Sequence, residues 1–262
     1  MNKITMQPDS TGLVDETFNH LHYNIHIGWT GSKGNCNKVN DIGFDIGVGA
    51  RLSKKFLSDV MYLCITHEHG DHINVPALKS FLKSYPFVTL IIPEDVYRSK
   101  LLGYEHPRMI RVKHGDVIEL DEWEGITDRK LHVITGRHSV PVVGYVLEET
   151  YEDGETTHLM YATDTSTYEF FKKFKYDVIL SEGNYDTYKL ERNFDKYYEM
   201  TNDINFITRA TTKEKQYMRN KLARIHATKV HCSKQDNEIF CISQRKSRET
   251  LCLELHRSET MY

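Results

Sequence analysis

The sequence predicts an α/β fold of four layers, αββα, in which two sheets pack face to face with helices outside. Three observations carry that prediction. Apolar runs of strand length recur along the chain, amphipathic helical stretches follow several of them, and strands run ahead of helices in both halves. With 262 residues, 39% of them hydrophobic, the chain is long enough to bury a sizeable core as one domain, 1–262.

Taken in order, residues 21–28 (LHYNIHIG) alternate like a strand, and 29–36 (WTGSKGNC) are rich in turn formers and read as a loop. Residues 42–47 (IGFDIG) form a short strand entering a Gly-rich turn. Residues 60–65 (VMYLCI) form a buried-strand run, and the polar segment 66–72 (THEHGDH) follows at once. A helix begins near Asn74, with Pro76 in its first turn and Val75, Leu78, Phe81 and Leu82 on one face. Residues 87–92 are another strand, and the helix after Pro93 ends near Gly103. Residues 109–148 hold several strands, and Asp153-Gly154 marks a hairpin turn. Residues 158–163 are a strand ending at Asp164, followed by a helix at about 167–174 and a strand at 177–181. From 184 to 230 the chain reads as a helical insert, basic and Tyr-rich, with Met218, Leu222 and Ile225 on one face. A helix at 234–244 and a strand at 250–255 complete the reading.

Composition excludes several classes. The net charge is −3, with 34 basic residues against 37 acidic ones, so no global basic excess advertises binding to long nucleic acid. The five cysteines (Cys36, Cys64, Cys232, Cys241 and Cys252) are odd in number and form no CxxC pair, which suits reduced thiols. The N-terminus has no apolar run resembling a signal peptide, and no stretch of about 18 apolar residues suits a membrane span. The expected location is the cytoplasm.

Histidine is the unusual total, at 14. The central motif is His67-Glu68-His69-Gly70-Asp71-His72. Three imidazoles and a carboxylate within six residues cannot share one strand or helix face, but a tight loop can converge them on a point. Imidazole and carboxylate suit zinc and similar ions. Two metals about 3.5–4 Å apart need a bridging carboxylate and more ligands than this loop supplies. Three further candidates follow or close strand-like runs: His138 in GRHSVP, Asp164 in YATDTS and His256 in LELHRS.

This ordered set, HxHxDH followed by a spaced His, an Asp and a C-terminal His, resembles the metallo-β-lactamase superfamily over about residues 21–262. The resemblance implies that His67, His69 and His138 hold one zinc, that Asp71, His72 and His256 hold a second, and that Asp164 bridges them. Two zinc ions are the implied cofactors, with manganese as an alternative. A His-rich site without a Cys ligand speaks against the lactamases that use one.

Two further features resemble the tRNase Z-type phosphodiesterases. One is Ser181-Glu182-Gly183-Asn184, where that group has Glu inside a His-Glu-Ala-Thr motif. The other is His231-Cys232-Ser233, where it has a His-Ser-Thr-like motif. The closing His256-Arg257-Ser258…Tyr262 is similar to that group's own ending. Phosphodiester hydrolysis needs a metal-bound hydroxide, charge stabilisation and a proton for the leaving alkoxide. His231 is therefore expected to be the general acid, Glu182 its orienter, and Asp71 a catalytic ligand. Asp164 follows His138 by only 26 positions (164 − 138), too few for the long tRNA-gripping arm of true tRNase Z enzymes.

Two armless relatives remain. The phage anti-Pycsar phosphodiesterases hydrolyse cyclic mononucleotides such as cCMP and cUMP. The WalJ-type exonucleases carry a Ser-Ser-Gly-Asn stretch that Ser32-Lys33-Gly34-Asn35 resembles. Compact length and near-neutral charge favour the cyclic nucleotide, cleaved to a linear monophosphate, and the anti-Pycsar resemblance also implies a homodimer in host cytoplasm. Segment 184–230 weighs toward the alternative, a DNA or RNA exonuclease, because it interleaves Lys189, Arg192, Lys196 and other basic residues with Tyr185, Tyr188, Tyr197, Tyr198 and Tyr217. Acidic residues such as Glu191, Asp195 and Glu199 dilute that patch.

Overall fold

A computed structural model describes residues 2–123, 125–228 and 230–255 of the chain. His256, Arg257, Ser258 and Tyr262 lie outside the described residues, as does Lys229. Two mixed sheets dominate. Across the first, the order is β1 (Asn2–Thr5), β14 (Leu251–Glu254), β13 (Val178–Ser181), β12 (Thr156–Ala162), β11 (Val143–Tyr151), β10 (Ile126–Thr135) and β9 (Val117–Glu119). Across the second it is β2 (Leu13–His20), β3 (Tyr23–Trp29), β4 (Cys36–Val39), β5 (Ile42–Phe44), β6 (Tyr62–Cys64), β7 (Thr89–Pro93) and β8 (Met109–Val112).

Strand alternation sorts the core into layers. Tyr62, Cys64 and Ile91 of the second sheet meet Leu159, Tyr161, Val178, Leu180, Leu251 and Leu253 of the first between the sheets. Their neighbours Leu63, Leu90 and Ile92 face outward instead, against α1 (Ala50–Phe56), α2 (Val75–Ser84) and α3 (Glu94–Lys100). On the far side Met160, Ala162, Ile179 and Cys252 pack against α7 (Lys234–Gln244). The order of layers is therefore helix, sheet, sheet, helix, as expected.

Helix α2 shows how local sequence sets an element. The Asn74 side chain accepts a hydrogen bond from the Ala77 amide at 3.1 Å, Pro76 lies in the first turn, and Ala77, Leu78, Phe81 and Leu82 are buried. Between β13 and α7 run α4 (Thr187–Asn202), α5 (Ile204–Arg209) and α6 (Thr212–Thr228), with α4 packed on α6. Met218 and Ile225 are buried and Leu222 half-buried. Among the described residues no helix is long and apolar enough to cross a membrane.

One expected element is corrected. The helix expected at about 167–174 is only a 3-10 turn, Glu169–Phe171. Side chains compete for the backbone there: the Thr165 hydroxyl donates to the Thr167 carbonyl at 2.9 Å, and the Glu169 amide donates to the Thr167 hydroxyl at 3.2 Å.

At one end of the sandwich, a buried ion-paired group joins the sheets. The Arg129 guanidinium donates to Asp41 Oδ1 at 2.6 Å and to Glu149 Oε1 at 3.0 Å, and all three residues are at most 2% exposed. Replacing Asp41 by alanine leaves that cation short of a partner. The expected loss is about 3–5 kcal/mol of unfolding free energy, to be read from denaturant unfolding.

Candidate metal centre

The site lies where several chain segments come together at one edge of the sandwich. β6 delivers residues 66–72, the β10–β11 connection delivers His138, β12 ends just before Asp164, β13 ends just before Glu182, and His231 precedes α7. The Val143 amide donates to the Thr66 carbonyl at 3.1 Å and the Tyr145 hydroxyl to the Ile65 carbonyl at 2.6 Å, so the two sheets are tied together beside the site. The motif itself folds as a tight turn, with the amides of His72 and Ile73 both donating to the His69 carbonyl at 2.9 Å.

The structure brings the expected groups together. His67 Nε2 lies 3.1 Å from His69 Nδ1, which lies 3.2 Å from His138 Nε2. Asp164 Oδ2 is 2.8 Å from His72 Nε2 and 3.4 Å from His67 Nε2. Asp71 Oδ2 is 3.8 Å from His72 Nε2. Among the described residues, ligand atoms thus group as His67, His69, His138 and Asp164, as Asp71, His72 and Asp164, and as Asp164, Glu182 and His231, with Asp164 common to all three.

Hydrogen bonds behind the rings aim their lone pairs inward. The His72 Nδ1–H donates to Asp45 Oδ2 at 2.8 Å, and the His138 Nδ1–H donates to the Val230 carbonyl at 3.3 Å. The Thr66 hydroxyl donates to Asp45 at 2.9 Å and so can accept from His67 Nδ1, 3.0 Å away. The Nε2 atoms of His67 and His138 are left with lone pairs facing the cluster, and His72 Nε2 faces Asp164 Oδ2 at 2.8 Å. Burial, reinforced by His72, lowers the His67 pKa to about 4, and burial also lowers that of His138, so burial favours the neutral form of both rings. His72 goes the other way: burial opposes its charge, but Asp164 and Asp45 outweigh burial and raise its pKa well above the ordinary value.

This donor set fits metal ions. Ring nitrogens about 2.0–2.1 Å from one tetrahedral zinc stand about 3.3–3.4 Å apart, close to the 3.1 and 3.2 Å found among His67, His69 and His138. With the His67 and His138 lone pairs both directed at His69 Nδ1, a single proton there cannot serve both. Glu68, between the two histidines, is half-buried, and none of these groupings includes it.

The Glu182–His231 pair abuts the same cluster. His231 Nδ1 lies 3.0 Å from Glu182 Oε2 and 3.5 Å from Asp164 Oδ1. Glu182 is fully buried, and its Oε1 accepts from the Thr165 amide at 2.5 Å. The Tyr168 hydroxyl donates to the Glu182 carbonyl at 2.8 Å and fixes the backbone. Burial opposes the charge on His231, but the Glu182 hydrogen bond and the charges of Glu182 and Asp164 prevail and raise its pKa.

Sequence reasoning missed Asp45. It is fully buried with φ +60°, and it serves His72 and Thr66 at once. Asp164 also has positive φ, at +52°. Backbone held in this region by a non-glycine residue is uncommon, and such positions cluster at functional sites. Asp45→Ala is expected to weaken zinc binding about 10–100-fold, measurable by competition with a chelating dye.

Comparison with known proteins agrees with this architecture. A structure of "the metallo-beta-lactamase fold protein YhfI" from Bacillus subtilis superposes with a TM-score of 0.50 and 15% sequence identity, over 87% of this chain and 79% of that one. The chain has the metallo-β-lactamase fold. The metallo-β-lactamase MIM-1 from Novosphingobium pentaromativorans also matches, at a TM-score of 0.38 and 12% identity, over 84% of this chain and 91% of its own. The sequence matches no protein-family model and no curated protein. In this metallo-β-lactamase fold, the expected residues His67, His69, Asp71, His72, His138, Asp164, Glu182 and His231 converge at one site, and His256 lies outside the described residues.

Proposed function

We propose that the chain is a metal-dependent hydrolase that cleaves a phosphodiester bond. The observation that carries this reading is the Glu182–His231 pair, 3.0 Å apart and set against Asp164. A thiolate leaving group departs without a proton, whereas a ribose alkoxide needs one. A histidine whose pKa is raised by a buried carboxylate, beside a metal centre, suits the second task.

In this reading His67, His69 and His138 hold one divalent ion, Asp71 and His72 (with His256) hold another, and Asp164 serves both. Zinc is the assigned metal and manganese the alternative. Metals bound there supply Lewis-acid charge stabilisation and lower the pKa of water. Glu182 Oε2 orients His231 through Nδ1, and in this reading Nε2 is the nitrogen that meets the substrate. The His231 side chain is 16% exposed, so a ligand can reach it. His231 gives its proton to the departing oxygen, and Glu182 stabilises it as imidazolium until then.

The assigned substrate is a cyclic mononucleotide, opened to the linear monophosphate. The near-neutral net charge of −3 supports it. On the insert, Lys196 sits over Tyr197 and Lys221 over Tyr217, so these cations are held by the insert's own rings. A polynucleotide is the second reading. It is favoured by Tyr188, Tyr198 and Tyr217, at 75%, 54% and 56% exposed, on helices that begin just after Glu182 and end just before His231. A homodimer belongs to the first reading, and sedimentation velocity tests it.

The deciding experiment offers metal-loaded protein 3′,5′-cCMP, cUMP, cAMP and cGMP beside single- and double-stranded DNA and RNA. Linear monophosphates with intact polymers support the assigned substrate. Shortened polymers alone replace it with the second reading, and no turnover of any phosphodiester overturns both.

A further inference from the structure

We propose that Asn35 is a positioning residue for the second metal site, the Asp71–His72 half of the centre. This rests on the two-metal reading above. Asn35 is fully buried at the end of the loop between β3 and β4. Its amide is locked in orientation: Oδ1 accepts from the Gly31 amide at 3.2 Å, and Nδ2 donates to the Gly31 carbonyl at 3.2 Å.

That lock aims the rest of Nδ2 at the site. It lies 3.2 Å from the Asp71 carbonyl and 2.9 Å from His72 Nε2. The Asn35 backbone amide donates to the same Asp71 carbonyl at 2.6 Å. The opposite wall is Gly47, whose own amide donates to the Asn35 carbonyl at 2.9 Å. A Cβ at Gly47 would stand 1.8 Å from the Asp71 oxygen, so that residue has to be glycine. The Asp71 carbonyl thus sits in a slot with two donors on one side and bare backbone on the other. Among the described residues, the hydrogen bonds of Asn35 reach Asp71 and His72 but not His67, His69 or His138.

The chemistry follows from the donor count. His72 Nε2 has Asn35 Nδ2 at 2.9 Å and Asp164 Oδ2 at 2.8 Å, while Nδ1 faces Asp45 at 2.8 Å. A metal that takes Nε2 leaves the ring proton on Nδ1, against Asp45. The two N–H groups of Nδ2 also have the Gly31 and Asp71 carbonyls within reach. Asn35 can therefore give up the His72 nitrogen to a metal without leaving a buried donor unsatisfied. The second site is held ready without a large rearrangement.

The test is a calorimetric titration of metal-free protein with zinc. Cobalt(II) absorption spectra report the two sites separately, and neither readout needs turnover. Wild type is expected to show two binding steps. Asn35→Ala is expected to keep the first step and weaken the second about 10–100-fold. Thermal unfolding checks that the variant is folded, and Asn35→Ser is measured the same way if it is not. Two unchanged steps, or two steps weakened equally, overturn the proposal. A wild-type protein that binds fewer than two ions overturns the two-metal reading itself, and with it this inference.

Discussion

Replacing Asp164 by alanine is expected to lower phosphodiester turnover by about 10³-fold or more, with the protein still folded. Asp164 belongs to both of the proposed metal-ligand groups, with Oδ2 at 2.8 Å from His72 and 3.4 Å from His67. Charge stabilisation by metals is worth several kcal/mol, and about 1.4 kcal/mol is a factor of ten in rate. Removing the one carboxylate common to both groups should therefore cost at least three such factors. Bound zinc should fall below two per chain in the same preparation. Full activity in the variant, at unchanged metal content, would sink the assignment of Asp164.

The second large effect is at His231. His231→Ala is expected to lower kcat about 10²–10⁴-fold on substrates whose leaving group is an alkoxide. KM and metal content should change little, because the ring donates a proton rather than binding the ground state. The same variant should lose far less on bis(p-nitrophenyl) phosphate, whose leaving group departs as a stable anion. A uniform loss on both substrates would argue that His231 holds structure instead. Glu182→Gln should show the same leaving-group dependence in weaker form, since it keeps the shape but not the charge beside His231.

The residues of this site are unequally visible in the sequence. The loop His67–His72 was legible because three imidazoles and a carboxylate follow an apolar run directly, a pattern that few structural needs produce. His138 and Asp164 stood out only by following strand-like runs and by resemblance, and folding places both within 3.5 Å of the loop's ring nitrogens. Asp45 was not legible. It is a lone carboxylate in an ordinary strand-like segment, and its importance arises from contacts with His72 and Thr66, 27 and 21 residues away.

The fold shows the same division. Buried strands such as β6 and β7 are continuous apolar runs and read directly. Strand β2 did not, because it is largely exposed and carries Asp15, Glu16, Asn19 and His20. Helix α1 is seven residues long with two buried side chains, too short to show a period. The helix expected near 167–174 failed because threonine hydroxyls capture the backbone there.

The most direct test of the account is anomalous scattering at the zinc edge from crystals grown with zinc. Two peaks are expected, one among His67, His69 and His138 and the other beside Asp71 and His72. A map with no peak at either place, from crystals that contain zinc elsewhere, would contradict it.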